Sequence, residues 1–154
     1  MSQLFQLWDR IWFKADDGIQ IDIIRFLVGC LLLVNYVGIS PYLLDLYANT
    51  GWLDLTALED QVSSPWIISI HFWFTQPWHY FVFHWLFIAA CLCFALGYKT
   101  HWVKWLVLLG HLSYLHRNPT ISYGLDNILA SILLILCFAH TGKNFSIDAL
   151  KANH

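Results

Sequence analysis

The sequence predicts an all-α integral membrane protein that forms one domain over residues 1–154. Its composition indicates this class, because 58% of the residues are hydrophobic, 18% are aromatic and only 12% are charged. Soluble domains carry about 25% charged residues. A body of this size is too small to hide eleven Phe, nine Trp and seven Tyr from water. The net charge of −2 provides no basic surface, so nucleic acid is not an expected partner.

Four apolar stretches are candidates for transmembrane helices, which need roughly 20 mainly apolar residues each. They cover residues 21–44, 78–98, 101–115 and 123–140. The third stretch is short for a complete span, and we expect Trp102 and Trp105 to anchor it at the membrane interface.

Two shorter segments are predicted to lie at the membrane surface or to enter it only in part. In residues 3–14 the apolar side chains recur at helical spacing, which is typical of an amphipathic interfacial helix. The alternative for this segment is a plain extension of the first span. Residues 66–74 are apolar and are bracketed by Pro65 and Pro77, so we expect a short re-entrant or interfacial piece there.

The distribution of lysine and arginine predicts the orientation of the chain. These residues precede the first span, flank the turn between the second and third spans, and follow the fourth. The connection over residues 45–77 contains none. Both termini are therefore expected in the cytoplasm of a multi-pass protein of the plasma membrane, or of the inner membrane in a bacterium. Membrane lipids are the immediate partners that this topology implies.

Polar residues gather near the outer ends of the predicted spans, where ionisable groups are functional candidates. We expect a ligand or substrate site formed by seven residues: Asn35, Asp45, Arg117, Asn118, Tyr123, Asp126 and Asn127. Two structural roles stay open beside this site. Asp126 would suit the first turn of its helix, and Arg117 would suit a lipid phosphate.

One arginine enters the first span from the cytoplasmic side. Arg25 lies one helical turn after Asp22, so the two side chains can pair along the helix. The alternatives are a binding role for this intramembrane charge and snorkelling of Arg25 to the cytoplasmic interface.

Four histidines lie toward the outer halves of the second and third spans. Folding these spans as a hairpin brings His84 near the depth of His111, and His79 near that of His116. A haem or a metal ion could then bind between one imidazole of each helix, although hydrogen-bonded structural histidines are commoner. The four cysteines are expected to be reduced and to pack as small apolar groups.

Several short motifs, taken in their order, resemble the HTTM family, whose transmembrane domain is shared with vitamin K-dependent gamma-carboxylases. The motifs are IDIIRFLVG (21–29), TGWLD (50–54), ALGYKT (95–100), RNPTISYGLDNIL (117–129) and FAHTGKNFSID (138–148). The resemblance covers nearly all of this chain but only the first half of the family domain.

What the resemblance implies is a membrane scaffold more than an enzyme. In the carboxylases, a lysine in a later span is regarded as the base that deprotonates reduced vitamin K, and that span has no counterpart here. The family's histidine after its Arg-Asn pair is replaced by Pro119, which cannot act as an acid or a base. The luminal region that binds propeptide and glutamate has no counterpart either. Glutamate carboxylation by this chain alone is therefore not expected.

Three functions follow as expectations. The first is a non-enzymatic membrane subunit, a scaffold or assembly partner for other membrane subunits or for a separately encoded second half of the domain. The second is a membrane enzyme, or half of one, that acts on a lipophilic quinone-like substrate. The third is a small b-type cytochrome. No cofactor is predicted for the first function, whereas a quinone-like lipid or haem belongs to the other two.

Overall fold

A computed structural model describes residues 18–53, 67, 69–139, 141–142 and 146–152, and the secondary structure within these ranges is entirely helical. The α-helices in this part of the chain are α1 (Ile19–Ile39), α2 (Leu43–Tyr47), α3 (Pro77–Leu96), α4 (Thr100–Arg117), α5 (Gly124–Phe138) and α6 (Ile147–Ala152). Two 3-10 helices, Ser40–Tyr42 and Ile70–Trp73, lie between them. The interfacial helix predicted at residues 3–14 lies outside the described residues.

Two helical stretches are long and apolar enough to cross a membrane. They are the 29 residues Ile19–Tyr47 and the 20 residues Pro77–Leu96. The first stretch continues past residue 44, where the predicted span ends. Pro41 lacks a backbone N–H, and the helix tightens there into the 3-10 segment Ser40–Tyr42 before α2 resumes.

The other two predicted spans also have different bounds from those expected. α4 has 18 residues and extends the predicted stretch 101–115 in both directions, and α5 has 15 residues and ends at Phe138. Residue 140, the predicted end of the fourth span, lies outside the described residues. α4 packs against both α3 and α5, so these helices form consecutive antiparallel pairs.

The stretch predicted as re-entrant or interfacial, residues 66–74, is described for residue 67 and residues 69–74. Its 3-10 helix Ile70–Trp73 packs against α4. Ser69 and His71 are buried there, whereas Trp73 is 77% exposed. The segment therefore contributes one face to the core and one face to the surroundings.

Arg25 is completely buried where α1 passes the end of α3. Its guanidinium donates hydrogen bonds to the carbonyl oxygens of Phe94 and Ala95, with 2.8 Å between Nη1 and the oxygen of Ala95. Asp22 pairs with Arg25 along the helix at 3.6 Å. The guanidinium of Arg25 is therefore enclosed in protein, where the last carbonyls of α3 are its partners.

The turn between α3 and α4 is closed by Gly97 and by a distant carboxylate. Gly97 has φ 70°, and its N–H and that of Tyr98 bond back to the last turn of α3, which is a Schellman arrangement. At the start of α4, Asp148 of α6 accepts from the backbone N–H groups of Lys99 and Thr100, both at 2.9 Å. Asp148 therefore caps α4 from the far end of the chain, a role that the polar tail of the sequence does not indicate.

Gly29 brings α1 and α3 unusually close together. A Cβ atom at Gly29 would lie 2.7 Å from the Cα atom of Ala95 on α3. Gly38, on the same helix, has nothing within 4 Å of the corresponding position. Alanine substitutions at these two positions therefore separate the effect of packing between helices from the effect of helix propensity.

We expect Gly29→Ala to lower the free energy of unfolding by about 1–3 kcal/mol, because the added methyl group pushes α1 away from α3. Gly38→Ala is the matched control, and it should be neutral or slightly stabilising, since alanine favours the helix and meets no neighbour. Unfolding in detergent micelles, followed by circular dichroism, measures both. Equal effects of the two substitutions would contradict the close contact at Gly29.

Candidate functional site

A cavity of about 300 Å³ lies between α1, α2, α4 and the start of α5, and we call it the outer cavity. Its walls combine aliphatic and aromatic side chains with a few polar groups, the usual composition of a small-molecule site. The apolar and ring-bearing walls come from Tyr36, Ile39, Leu46, His111, Tyr114, Leu115, Ile121 and Leu125. The polar side chains come from Asn35, Tyr47, Ser122, Tyr123 and Asp126.

Three of the seven residues predicted as an outer polar cluster lie on this cavity: Asn35, Tyr123 and Asp126. Asp126 also has the structural role that was open to it, because its Oδ2 accepts from the backbone N–H of Tyr123 at 2.8 Å. One carboxylate oxygen therefore holds the first turn of α5.

The other four residues of the predicted cluster do not line the outer cavity. Asp45 and Asn127 are exposed elsewhere. Arg117 and Asn118 are buried, and they donate to backbone carbonyls of the segment around α2. Arg117 Nη2 lies 2.8 Å from the oxygen of Ala48, and Asn118 Nδ2 lies 2.7 Å from that of Leu46. Arg117 is therefore enclosed in protein rather than open to a lipid phosphate.

Several polar groups of the outer cavity have no hydrogen-bond partner among the described residues. The hydroxyl oxygen of Ser122 is buried without one. The side-chain amide of Asn35 and the hydroxyl of Tyr47 make no side-chain hydrogen bond within the same ranges. Since buried polar groups are normally paired, the Ser122 hydroxyl can bind a molecule that enters the cavity, and the half-buried Asn35 amide and the Tyr47 hydroxyl line the same space.

His111 and Tyr36 form one side of the cavity through a fixed hydrogen-bond chain. The Nε2 atom of His111 lies 3.0 Å from the carbonyl oxygen of Asp126, and Nδ1 lies 2.8 Å from the hydroxyl of Tyr36. A carbonyl can only accept, so Nε2 carries the proton of the neutral ring. Tyr36 must then donate to Nδ1.

A second histidine–tyrosine pair follows the same pattern. Ser40 donates its hydroxyl proton to the carbonyl oxygen of Tyr36, so it accepts from His84 Nε2 at 2.9 Å. The hydroxyl of Tyr114 then donates to His84 Nδ1 at 2.8 Å. The rings of Tyr36 and Tyr114 are in contact, with centroids 4.7 Å apart. The two hydrogen-bonded histidine–tyrosine pairs thus form one cluster.

The arrangement of the four predicted haem or metal histidines does not suit axial ligation. Both ring nitrogens of His84 and of His111 are engaged with hydroxyl or carbonyl groups. His79 accepts from the backbone N–H of Gln76 at the start of α3, and His116 is half-buried at the end of α4. Within the described ranges, no three His, Cys, Asp or Glu side chains converge on one point.

A fifth histidine, His71, is completely buried near the outer cavity, and no pattern in the sequence indicates this. Its Nδ1 lies 3.0 Å from the hydroxyl of Ser113, while its ring stacks on Tyr47 and meets the ring of Tyr114 edge-on. Burial, with a smaller contribution from the positive charge of Arg117, lowers the pKa of His71 to about 3. His71 is therefore a neutral member of the aromatic core.

No protein-family model, curated protein or solved structure matches this chain. The resemblance to HTTM proteins therefore rests on the order of the sequence motifs alone.

The lowered pKa of His71 predicts a pH dependence of stability. The folded protein does not protonate His71 above about pH 3, whereas the unfolded chain does so near its ordinary pKa of 6.5. Stability should therefore decrease as the pH falls from 6.5 towards 3, by up to about 1.4 kcal/mol per pH unit for this residue.

The measurement compares unfolding of the wild type and of His71→Asn at several pH values between these limits. The asparagine side chain can still bond to Ser113 but does not titrate, so its curve should be less steep. Parallel curves for the two proteins would show that His71 is not kept neutral by the fold.

Proposed function

We propose that this chain is a small four-span membrane protein that binds a lipophilic, quinone-like ligand in the outer cavity. We also propose that it acts as a subunit of a larger membrane assembly, with both termini in the cytoplasm. The observation that supports the ligand is the buried hydroxyl of Ser122, which has no hydrogen-bond partner among the described residues, in a cavity with apolar walls that Asn35 and Tyr47 also line.

The outward surfaces of the four long helices support the four-span topology. Each helix exposes large apolar side chains, including Leu27 and Val34 on α1, Leu86 on α3, Leu109 on α4 and Ile135 on α5. At about 1.5 Å per residue, α4 is long enough to cross nearly the whole hydrocarbon layer, and α5 crosses most of it. Lys99 and Lys104 lie at the turn that this topology assigns to the cytoplasm.

The chemistry of the outer cavity favours a ligand with carbonyl oxygens on a flat ring. The Asn35 amide and the Tyr47 and Ser122 hydroxyls can each donate a hydrogen bond to such an oxygen. The rings of Tyr36 and Tyr114 form an apolar wall for the ring of the ligand. A volume of about 300 Å³ accommodates a quinone head group, while an isoprenoid tail would extend into the lipid.

The motifs of the HTTM resemblance contact one another, which supports proposing an HTTM-like architecture. Arg25 of the first motif bonds to Ala95 of the ALGYKT motif. Arg117 of the fourth motif bonds to Leu53 of TGWLD at 3.1 Å. The residues that carry the resemblance therefore fix helix ends. None of these contacts supplies an acid or a base for carboxylation, which we do not propose.

The outward face of α5 supports the proposal of a partner subunit. Asn127 and Ser131 lie one turn apart on this face and are exposed among apolar side chains, and the Ser131 hydroxyl donates to the carbonyl oxygen of Asn127 at 2.9 Å. Polar side chains on the outer face of a transmembrane helix are more stable against a second protein helix than against lipid. A b-type cytochrome is not favoured, since His84 and His111 use both ring nitrogens inside the fold.

Replacing Asn35 by leucine should weaken ligand binding while it preserves side-chain size. We expect a loss of about three- to tenfold in affinity for a decyl-substituted benzoquinone, the value of one hydrogen bond. Equilibrium binding to the full chain in detergent micelles measures this loss. Asn127→Leu is the matched control, because Asn127 is exposed and does not line the cavity. Binding that is equal in all three proteins would overturn the proposed ligand site.

Purification from native membranes in a mild detergent tests the subunit proposal separately. We expect the chain to elute with a second membrane protein at fixed stoichiometry, and Asn127→Leu together with Ser131→Leu to weaken that association. A chain that runs alone and stays folded would contradict a stable assembly. This result would leave the ligand-binding experiment unaffected.

A further inference from the structure

A second cavity, of about 320 Å³, lies at the opposite end of the α4–α5 pair, and we call it the inner cavity. It is formed by the first turns of α4 and the residues that follow the last turn of α5. The outer cavity uses the other ends of the same two helices. The two cavities share no lining residue, so the inner cavity can be argued without the proposed quinone-like ligand, although it rests on the proposed membrane topology.

Lys104 provides the charge of the inner cavity. Its side chain is only 7% exposed, and Nζ donates to the carbonyl oxygen of Ala139 at 3.0 Å. No described carboxylate lies within ion-pair distance of it. Two N–H donors of the ammonium remain, and a buried cation without a counter-ion is costly. The site therefore favours an anion.

The described carboxylates at this end of the molecule, Asp22 and Asp148, are engaged elsewhere. Asp22 pairs with Arg25 and accepts from the backbone N–H of Gly142 at 2.6 Å. Asp148 accepts from the N–H groups at the start of α4. Neither carboxylate lines the inner cavity. The counter-ion of Lys104 must therefore come from outside the described part of the chain.

Two further polar groups face the inner cavity beside Lys104. The hydroxyl oxygen of Thr141 is buried and has no hydrogen-bond partner among the described residues. His101, which is exposed, lies on the cavity wall one helical turn before Lys104. An ammonium, a hydroxyl and an imidazole give several hydrogen-bond donors around one space, which suits the oxygens of a phosphate group.

The edge of the inner cavity is aromatic. The ring of Phe138 is 73% exposed and meets the ring of Trp105 edge-on, with centroids 5.6 Å apart and an interplanar angle of 85°. Exposed tryptophan and phenylalanine beside a lysine are typical of the level where lipid head groups meet acyl chains. A ligand with a phosphate and an apolar chain would contact both parts of this surface.

We infer that the inner cavity binds the phosphate group of an anionic phospholipid. Lys104 and Thr141 hold the phosphate oxygens, His101 lies at the entrance, and the acyl chains lie against Trp105 and Phe138. Basic pockets between transmembrane helices on the cytoplasmic side recognise anionic head groups in the same way. The phosphate of the bound lipid pairs with Lys104, for which no described carboxylate lies within ion-pair distance.

Native mass spectrometry of the full chain in mixed micelles tests this site, with phosphatidylglycerol and phosphatidylcholine as the probes. We expect one phosphatidylglycerol per chain to be retained in preference to phosphatidylcholine. Lys104→Gln should weaken its binding by about tenfold or more, the loss expected for a charge-assisted hydrogen bond. Lys99→Gln is the matched control, since Lys99 is an exposed cation of the same turn that does not line the cavity.

A second variant keeps the test decisive if Lys104→Gln does not fold. Thr141→Val retains the bond from Lys104 to Ala139 and should still lower the affinity for phosphatidylglycerol about threefold or more. Displacement of the lipid by inorganic phosphate would show that the phosphate group alone is recognised, and persistence of the lipid would show that its chains contribute. Equal retention of the two lipids, or unchanged binding in Lys104→Gln or Thr141→Val, would overturn the inference.

Discussion

The buried guanidinium of Arg25 joins α1 to the end of α3. It occupies the end of α3, where it donates to the carbonyls of Phe94 and Ala95, and it holds α1 against α3. Gly29 makes that approach sterically feasible, and Gly97 leaves room for the guanidinium, since a Cβ there would lie 2.9 Å from Arg25 Nη2. The contacts of Arg25 and Gly29 together set how α1 lies against α3, and with it the position of the residues that α1 presents to the outer cavity.

A second buried arginine does the same at the opposite end of the bundle. Arg117 and the neighbouring Asn118 bond to carbonyl oxygens of the chain around α2, and they hold that segment over the end of α4. Both arginines therefore stabilise backbone, and neither is available to a ligand. The polar groups that remain for binding are uncharged or acidic at the outer cavity, whereas Lys104 is available at the inner cavity. The two ends of the molecule accordingly suit ligands of different charge.

The sequence predicted the helical class and the approximate positions of the long helices, because an apolar run of about 20 residues with few charges is typical of a membrane-spanning helix. It also placed Asn35, Tyr123 and Asp126 in one cluster, since they follow from the order of the spans. It did not predict that Arg117 would turn inward, because the carbonyls that it binds belong to an irregular segment whose path periodicity cannot give. Asp148 was missed for a similar reason: its partners are 48 and 49 residues earlier in the chain.

The cap that Asp148 provides for α4 sets an order of events during synthesis. The guanidinium of Arg25 can donate to the carbonyls at the end of α3 as soon as α3 has been made, because Arg25 is translated about 70 residues earlier. The N–H groups of Lys99 and Thr100 must wait until 48 more residues have been translated. Over that interval the turn between α3 and α4 has a capped C-terminus of α3 and an uncapped N-terminus of α4. Until α6 has been translated, water or the insertion machinery must therefore accept hydrogen bonds from the N–H groups of Lys99 and Thr100.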